Sequence, residues 1–536
     1  MVRGLLRGSG FSARIGDKRE VVVMKKAKYW WSLLAGCLGA LLVLRGWGAS
    51  QAARAQAESD QVQVVQAKIQ AQGYEFGPAV NKIVLQVSQA VTAVDPDAQL
   101  EVTTQGKARQ VSALYLADEQ GQALPEGQAS QWLALDLVVD SWDLGSLFGY
   151  NQERLISQWQ DKYLIAVGPV QVTTQEGKPA QVRLADYDAL PYLELQDLAG
   201  YQFEQVHVDG VTNPLTGQEE SQTLHYGAFE PAAAKDQVQA KFPLLIWLHG
   251  QAEGGEDPRI TLLGNEVTAL SRPQVQEIFT ATDQPELKGA YVLAVQTPTY
   301  WMDEGDGLNG PGAGHSRYTE SLMQVISDYV ASHPQIDPHR VHLMGCSNGG
   351  YMTLNMALHY PDYFAGLVPQ ATAYSYYEFQ RLDNGHYLIK DPKKRGSIQA
   401  YAPTQRVWFD QDKVAALKNQ AIWFVHSLDD PTVPANAYVL PIYKDLVDAG
   451  GQNVWLSLFQ SVQGQDLPKM RYSGHFSWIP FFNQQVQGVQ DPEAIRQSPG
   501  LSGFEPDNAN GGGKAQVQVA GQTYQDVFHW LNAQHR

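Results

Sequence analysis

Apolar and polar positions change their rhythm along the chain. From residue 79 to 230 the apolar residues fall in short runs, as in Lys82-Ile83-Val84-Leu85-Gln86-Val87, Ala113-Leu114-Tyr115-Leu116, Leu133-Ala134-Leu135-Asp136-Leu137-Val138-Val139 and Tyr163-Leu164-Ile165-Ala166-Val167. These runs are β-branched or aromatic, and Gly, Pro, Asp and Gln separate them, which predicts strands of a β-sandwich. From Phe242 onward the runs become continuous and alternate with helical spacing. Pro243 to Leu248, Tyr291 to Val295, Arg340 to Met344, Ala421 to Val425 and Val454 to Leu458 read as buried strands. Between two of them, Leu322, Val325, Ile326 and Tyr329 recur on one face of a segment running from Tyr318 to Ser332. Tyr524 to Ala533 reads as a closing helix. Strands alternating with helices predict a mostly parallel sheet flanked by helices.

The ends of these patterns set the expected organisation. Residues 1–55 read as a signal peptide: Lys25, Lys26 and Lys28 precede an apolar stretch from Tyr29 to Leu44, and Ala53-Arg54-Ala55 offers an A-x-A cleavage site. Met24 is an alternative start. A retained anchor and a lipoprotein box at Leu34-Ala35-Gly36-Cys37 stay open as rivals, although the stretch is short for a full crossing and remains apolar after Cys37. Gln-rich residues 56–78 read as a linker, 79–230 as an all-β domain and 231–536 as an α/β domain. The expected location is secreted.

Charge narrows the partners. The chain carries a formal −17, and its first 55 residues hold ten Lys/Arg against two Asp/Glu, so the remainder carries −25. Such a surface repels nucleic acid and anionic lipid, and no stable membrane partner is expected once the signal is removed. With two cysteines, Cys37 and Cys346, one is left after cleavage, which excludes an internal disulfide and a cysteine-ligated zinc site.

The chemistry concentrates at Gly345-Cys346-Ser347-Asn348-Gly349. This G-x-S-x-G pattern stands between a strand and a helix candidate, Tyr351 to His359, as a nucleophile elbow requires. The serine must occupy a sharp turn that lifts its hydroxyl off the sheet, and the glycines let neighbouring backbone pass close by. His249-Gly250-Gln251 follows the first strand of the α/β domain. The backbone N–H groups of Gln251 and Asn348 are therefore the expected oxyanion donors, with the His249 side chain bracing the loop. The order Ser, Asp, His then assigns Ser347 as nucleophile, Asp430 as orienting acid and His475 as base. Asp430 is chosen over Asp429 because Pro431 biases it to an extended conformation.

Taken together, Leu248-His249-Gly250, Ile336-Asp337-Pro338-His339-Arg340-Val341, Gly345-Cys346-Ser347-Asn348-Gly349-Gly350, Asp430-Pro431-Thr432-Val433-Pro434 and Gly474-His475 resemble the secreted esterases related to polyhydroxybutyrate depolymerases and prolyl oligopeptidases. The resemblance covers residues 240–480. It implies an α/β-hydrolase fold, an immunoglobulin-like domain before it, and carboxylesterase activity on small or phenolic acyl esters without metal or organic cofactor. It places the acid four residues after His426 and three before Val433. The expected partner is a small-molecule or polymeric ester. A peptidase, and a surface-binding protein with a vestigial hydrolase, remain as alternatives.

Other signals are weaker. Gly305-Asp306-Gly307-Leu308-Asn309-Gly310 matches a dinucleotide pattern but opens no helix, and Pro311 follows it. Asp303, Glu304 and Asp306 lack EF-hand spacing. Cys346 reads as a packed residue. Trp301 and Trp478 are read as substrate-binding residues, with ordinary packing the competing explanation. The Gly-rich stretch Trp301 to His315 and the polar insertion 484–515 are expected to reshape the mouth of the site.

Overall fold

The computed structural model describes residues 61–95, 100–237, 239–394, 397–467 and 470–536. The targeting pattern of residues 1–55 lies outside them. In the N-terminal β domain, Val64–Tyr74 and Gly77–Val94 form a long antiparallel hairpin with Ile69 opposite Ile83. The second of these strands also pairs with Ser130–Leu137, and Leu164–Thr174 pairs with Pro179–Asp188. Alternate residues point inward, so Ile69, Ile83, Leu85, Leu133, Leu135, Val167 and Val182 form a dry core. The segment read as a linker therefore differs: residues 64–74 are a strand, because Ile69 and Ala71 supply alternation that the Gln-rich composition hides.

The α/β domain is built on eight strands: β1 (Tyr201–Thr212), β2 (Glu219–Phe229), β3 (Phe242–Leu248), β4 (Tyr291–Gln296), β5 (Ile336–Cys346), β6 (Gly366–Gln370), β7 (Ile422–Ser427) and β8 (Val454–Phe459). Their spatial order is β1-β2-β4-β3-β5-β6-β7-β8. The β1-β2 and β2-β4 pairs are antiparallel and the rest are parallel, giving the α/β-hydrolase fold. The β1-β2 hairpin corrects the boundary drawn at 230. Its residues alternate like those of the β domain, yet it pairs with β4, so the α/β domain begins at Tyr201.

Helices cover both faces. They include α1 (Thr319–Ser332), α2 (Asn348–His359), α3 (Val439–Asp448) and α4 (Val527–Ala533). On β3, Leu244, Ile246 and Leu248 join the core under α1, α2 and α3, whereas Leu245 and Trp247 join the core under α4. The strand is apolar at every position because each of its faces is buried. The polar insertion 484–515 lies along the open side of β8. The Gly512 carbonyl accepts from Leu458 N–H at 2.8 Å, and Gln490 and Asp507 donate to the Leu456 and Leu458 carbonyls at 2.8 and 2.9 Å. It covers an exposed edge, which would otherwise invite pairing with another chain.

Glu75, at the tip of the long hairpin, clamps the two domains. It is buried, its Oε1 accepts from Gln465 N–H and from the Asn483 amide, each at 2.6 Å, and its own N–H donates to Asp466 at 2.9 Å. Replacing it with alanine leaves two part-buried donors without their acceptor. Glu75→Ala is expected to lower unfolding stability by about 1–3 kcal/mol, measurable as a lower urea midpoint. An unchanged midpoint would show that the clamp contributes nothing.

Candidate active site

Ser347 stands between the end of β5 and the start of α2 with φ 54° and ψ −109°. Such a backbone is costly for a residue with a side chain and persists only where its surroundings enforce it. Ser347 N–H donates to the Gln370 carbonyl on β6 at 2.8 Å, and the Ser347 carbonyl accepts from Tyr351 and Ala373 N–H at 2.9 and 3.1 Å. The flanking glycines are there for space. A Cβ on Gly349 would lie 2.0 Å from the Leu248 carbonyl oxygen, and one on Gly345 would lie 2.7 Å from the same atom.

His475 sits on the turn Gly474–Phe476, with Nε2 2.9 Å from Ser347 Oγ and Nδ1 2.9 Å from Asp430 Oδ2. A carboxylate only accepts, so Nδ1 carries the proton and the neutral ring turns its Nε2 lone pair to the serine hydroxyl. Asp430 is fully buried, and its Oδ1 accepts from Thr432 and Val433 N–H at 2.8 and 2.9 Å. Burial pushes its carboxyl up, but the attraction of His475 and these hydrogen bonds outweigh burial and hold it below the usual range. Asp429 points elsewhere: it accepts from Ser427 Oγ at 2.6 Å and pairs with Arg471 at 2.5 Å. It also packs under Gly474, where a Cβ would lie 2.2 Å from its Oδ1. Asp429 thus supports the histidine turn.

Sequence reasoning passed over His426 as a functional side chain. It is wholly buried, its Nε2–H donates to the Val433 carbonyl at 3.0 Å, and the same nitrogen is 3.6 Å from Asp430 Oδ2. Burial lowers its pKa. It holds the loop that carries Asp430. Its position at the end of a buried strand, before Asp-Pro, was the available signal.

On the other side of the serine, Asn348 is the first residue of α2 and Gln251 opens a short 3₁₀ turn, Gln251–Glu253, after β3. First-turn N–H groups have no acceptor within their own helix and point toward a site where negative charge is welcome. His249 fixes this loop. Its Nδ1–H donates to the Gly250 carbonyl at 2.6 Å and its Nε2 accepts from Thr297 N–H at 3.1 Å. Complete burial lowers its pKa to about 4. Beneath it, burial pushes the Glu253 carboxyl up to about 7, and Glu253 Oε2 has no hydrogen-bond partner. Cys346 is buried behind Ser347, and burial raises its thiol well above its ordinary pKa.

The two tryptophans are corrections. Trp301 is buried against His249, with ring centroids 5.2 Å apart, and Trp478 is buried edge-on to His475 at 5.4 Å. They back the histidines and present almost no surface to a substrate. The stretch Trp301 to His315 is pinned by charge. Asp303 accepts from Thr299 and from the N–H groups of Gly305 and Gly307, Glu304 pairs with Arg381 at 2.8 Å, and Asp306 meets His386 at 3.0 Å. Asn309, a residue the sequence did not mark, donates to Gln251 Oε1 at 2.6 Å and accepts from the Asn348 amide.

The neutral state of His249 has a thermodynamic signature. Its folded pKa lies below the ordinary value of about 6.5, so between these values the unfolded chain binds more protons. Stability from this group is complete above about pH 6.5 and declines as pH falls toward 4, by about 3 kcal/mol at most. Glu253 contributes the opposite slope, losing stability as pH rises from about 4.5 to 7. Denaturant titrations of wild type and His249→Asn from pH 7.5 to 4 are expected to show a shallower acid loss in the variant. Parallel curves would contradict a buried neutral His249.

Comparison with known proteins agrees with this architecture. Residues 318–461 match the prolyl oligopeptidase family, and residues 66–181 match the esterase Ig-like N-terminal domain. The poly(3-hydroxyalkanoate) depolymerase C of Paucimonas lemoignei is 41% identical over 71 residues, which is 13% of this chain and 16% of the depolymerase. The chain thus aligns with a small part of that relative's length. Among solved structures, a thermostable esterase superposes with a TM-score of 0.56 at 19% identity, covering 79% of this chain and 97% of the esterase. An acylaminoacyl peptidase of Pyrococcus horikoshii gives a TM-score of 0.29 at 15% identity, covering 78% of this chain and 55% of the peptidase. The chain thus carries a stretch that matches the esterase Ig-like N-terminal domain, followed by an α/β-hydrolase domain part of which matches the prolyl oligopeptidase family.

Proposed function

We propose that the chain is a carboxylesterase working through an acyl-enzyme. The observation that carries this reading is the hydrogen-bonded series Ser347, His475, Asp430, with 2.9 Å at each contact and the serine on a strained turn. Ser347 Oγ attacks the ester carbonyl carbon while His475 Nε2 takes its proton. The oxyanion is held by the N–H groups of Gln251 and Asn348, each donor worth roughly 3–4 kcal/mol in the transition state. His475 then gives the proton to the departing alcohol oxygen as the bond to the carbonyl carbon breaks. Water, deprotonated by the same nitrogen, attacks the acyl-enzyme, releases the acid and restores the serine. Asp430 holds the imidazole tautomer and stabilises the imidazolium. The chain supplies nucleophile, base and oxyanion donors for this cycle from its own residues.

The match of residues 318–461 to the prolyl oligopeptidase family favours a second reading, a serine peptidase, because the same groups cleave amides. Parallel assays on p-nitrophenyl esters and peptide p-nitroanilides separate the two; ester hydrolysis is expected to dominate. We also propose that the enzyme is exported and released after Ala53-Arg54-Ala55, reaching small-molecule or polymeric esters outside the cell. An N-terminus at Gln56 on secreted protein is the expected result, and an intact Met1 or Met24 on exported enzyme would contradict it.

Two substitutions test the roles directly. Ser347→Ala is expected to abolish turnover with the fold retained. Asp430→Asn inverts the tautomer preference of His475 and is expected to cost on the order of 10⁴ in kcat. Asp429→Asn keeps the Ser427 contact and is expected to cost less than about tenfold. A crippled Asp429→Asn beside a working Asp430→Asn would overturn the assignment.

A further inference from the structure

A cavity beside Asn309, the residue that bridges Gln251 and Asn348, is walled by both domains. A short hairpin of the N-terminal domain, Phe148–Asn151 paired with Ile156–Trp159, reaches over the hydrolase loops. Between them lies a cavity of about 190 Å³, lined by Leu155 and Ile156 from the hairpin and by Tyr300, Asn309, Ile389 and Tyr401 from the hydrolase. The hairpin is held firmly there. Trp159 Nε1–H donates to Asp257 at 2.8 Å, the Arg259 guanidinium lies 5.3 Å from the Trp159 ring centroid, and Tyr300 OH donates to the Arg154 carbonyl.

Asn309 connects this cavity to the reacting centre. Its amide meets the Gln251 side chain and its carbonyl oxygen meets the Asn348 side chain, the two residues assigned to the oxyanion. Tyr401 OH fixes it further by donating to the Asn309 carbonyl at 2.6 Å. The cavity therefore lies on the Gln251 and Asn348 side of Ser347, with Asn309 between them. The leaving oxygen must lie beside His475, and no residue of the Gly474–Phe476 turn lines the cavity. What remains for it is the acyl group.

Leu155 is the distinctive residue of this wall. Its φ is 53°, a left-handed conformation that glycine adopts freely and a leucine adopts at a cost. A bulky apolar side chain is kept at a hairpin position where glycine would be easier to fold, and that side chain lines the cavity. Strain of this kind points to function when it is observed at a binding wall. We infer that Leu155 is a specificity-determining residue through which the Ig-like domain sets the size of the acyl group the enzyme accepts. This inference rests on the esterase reading. A cavity of roughly 150 Å³ admits benzene, so the volume here suits a phenyl-sized or medium-chain acyl group, with Leu155, Ile156 and Ile389 offering its apolar contacts.

The test uses the full chain and p-nitrophenyl acetate, butanoate and octanoate, which share one leaving group and vary only in the acyl part. Leu155→Gly suits the backbone and enlarges the cavity; Leu155→Trp fills it. The octanoate-to-acetate ratio of kcat/KM is expected to fall at least tenfold in Leu155→Trp and to rise in Leu155→Gly. Methyl and benzyl butanoate, which vary only the alcohol, are expected to keep their ratio in both variants. Identical acyl-length profiles in the three proteins, or a change that follows the alcohol instead, would overturn the inference while leaving the esterase reading intact. Failure of the wild type to hydrolyse any p-nitrophenyl ester would overturn both.

Discussion

Ser347 holds its backbone at φ 54° and ψ −109° because four neighbouring segments leave it no alternative. Its N–H is committed to Gln370 on β6, its carbonyl to Tyr351 in α2 and Ala373 beyond β6, and the glycines around it press against the end of β3. The central parallel strands β3, β5 and β6 thus exist in register for one consequence: they set a hydroxyl above the sheet and start a helix at the next residue. The first N–H of that helix and the loop after β3 then share one small volume in which negative charge is favoured. The same hydrogen bonds place Ser347 and the start of the helix whose first N–H is proposed as an oxyanion donor.

Burying ionisable groups around this point is expensive, and the structure compensates each in a different way. Asp430 is offset by His475 and by two backbone N–H groups. His249 and His426 are kept neutral and used as fixed dipoles between loops. Asp303 and Glu304 are matched by Arg317 and Arg381, which tie down the stretch carrying Asn309. The last of these has reach beyond its own loop, because Asn309 touches both Gln251 and Asn348 and lines the cavity shared with the N-terminal domain. The hairpin of that domain lines the cavity beside Asn309.

The elbow, the buried strands and the order of acid and base were legible because each depends on local spacing: glycines flanking a serine, apolar runs ending at a sheet edge, and a proline after the acid. Other features depend on long-range pairing and left no local mark. Most of β1 is exposed on both faces and β2 alternates, so Tyr201–Phe229 reads like the β domain although β2 pairs with β4. β6 is hidden by its length and by Pro369. The insertion 484–515 looks like a polar loop at the site mouth, but Gly512 has φ 109° and lies so close to Ser457 that a Cβ would be 2.4 Å from its Cβ, which seats the insertion on β8. Trp301 and Trp478 read as substrate-binding residues with ordinary packing as the competing explanation, and their burial fits packing, since residue type does not tell whether a ring faces a site or the core.

The central claim is that Ser347 is a nucleophile activated by His475. Mass spectrometry of the protein after treatment with a fluorophosphonate measures this most directly, because the reagent forms a stable adduct only with an activated serine. The account predicts a single adduct on the peptide containing Ser347, formed far more slowly in His475→Ala. An adduct elsewhere, no adduct at all, or labelling of Ser347 at the same rate without His475 would contradict it.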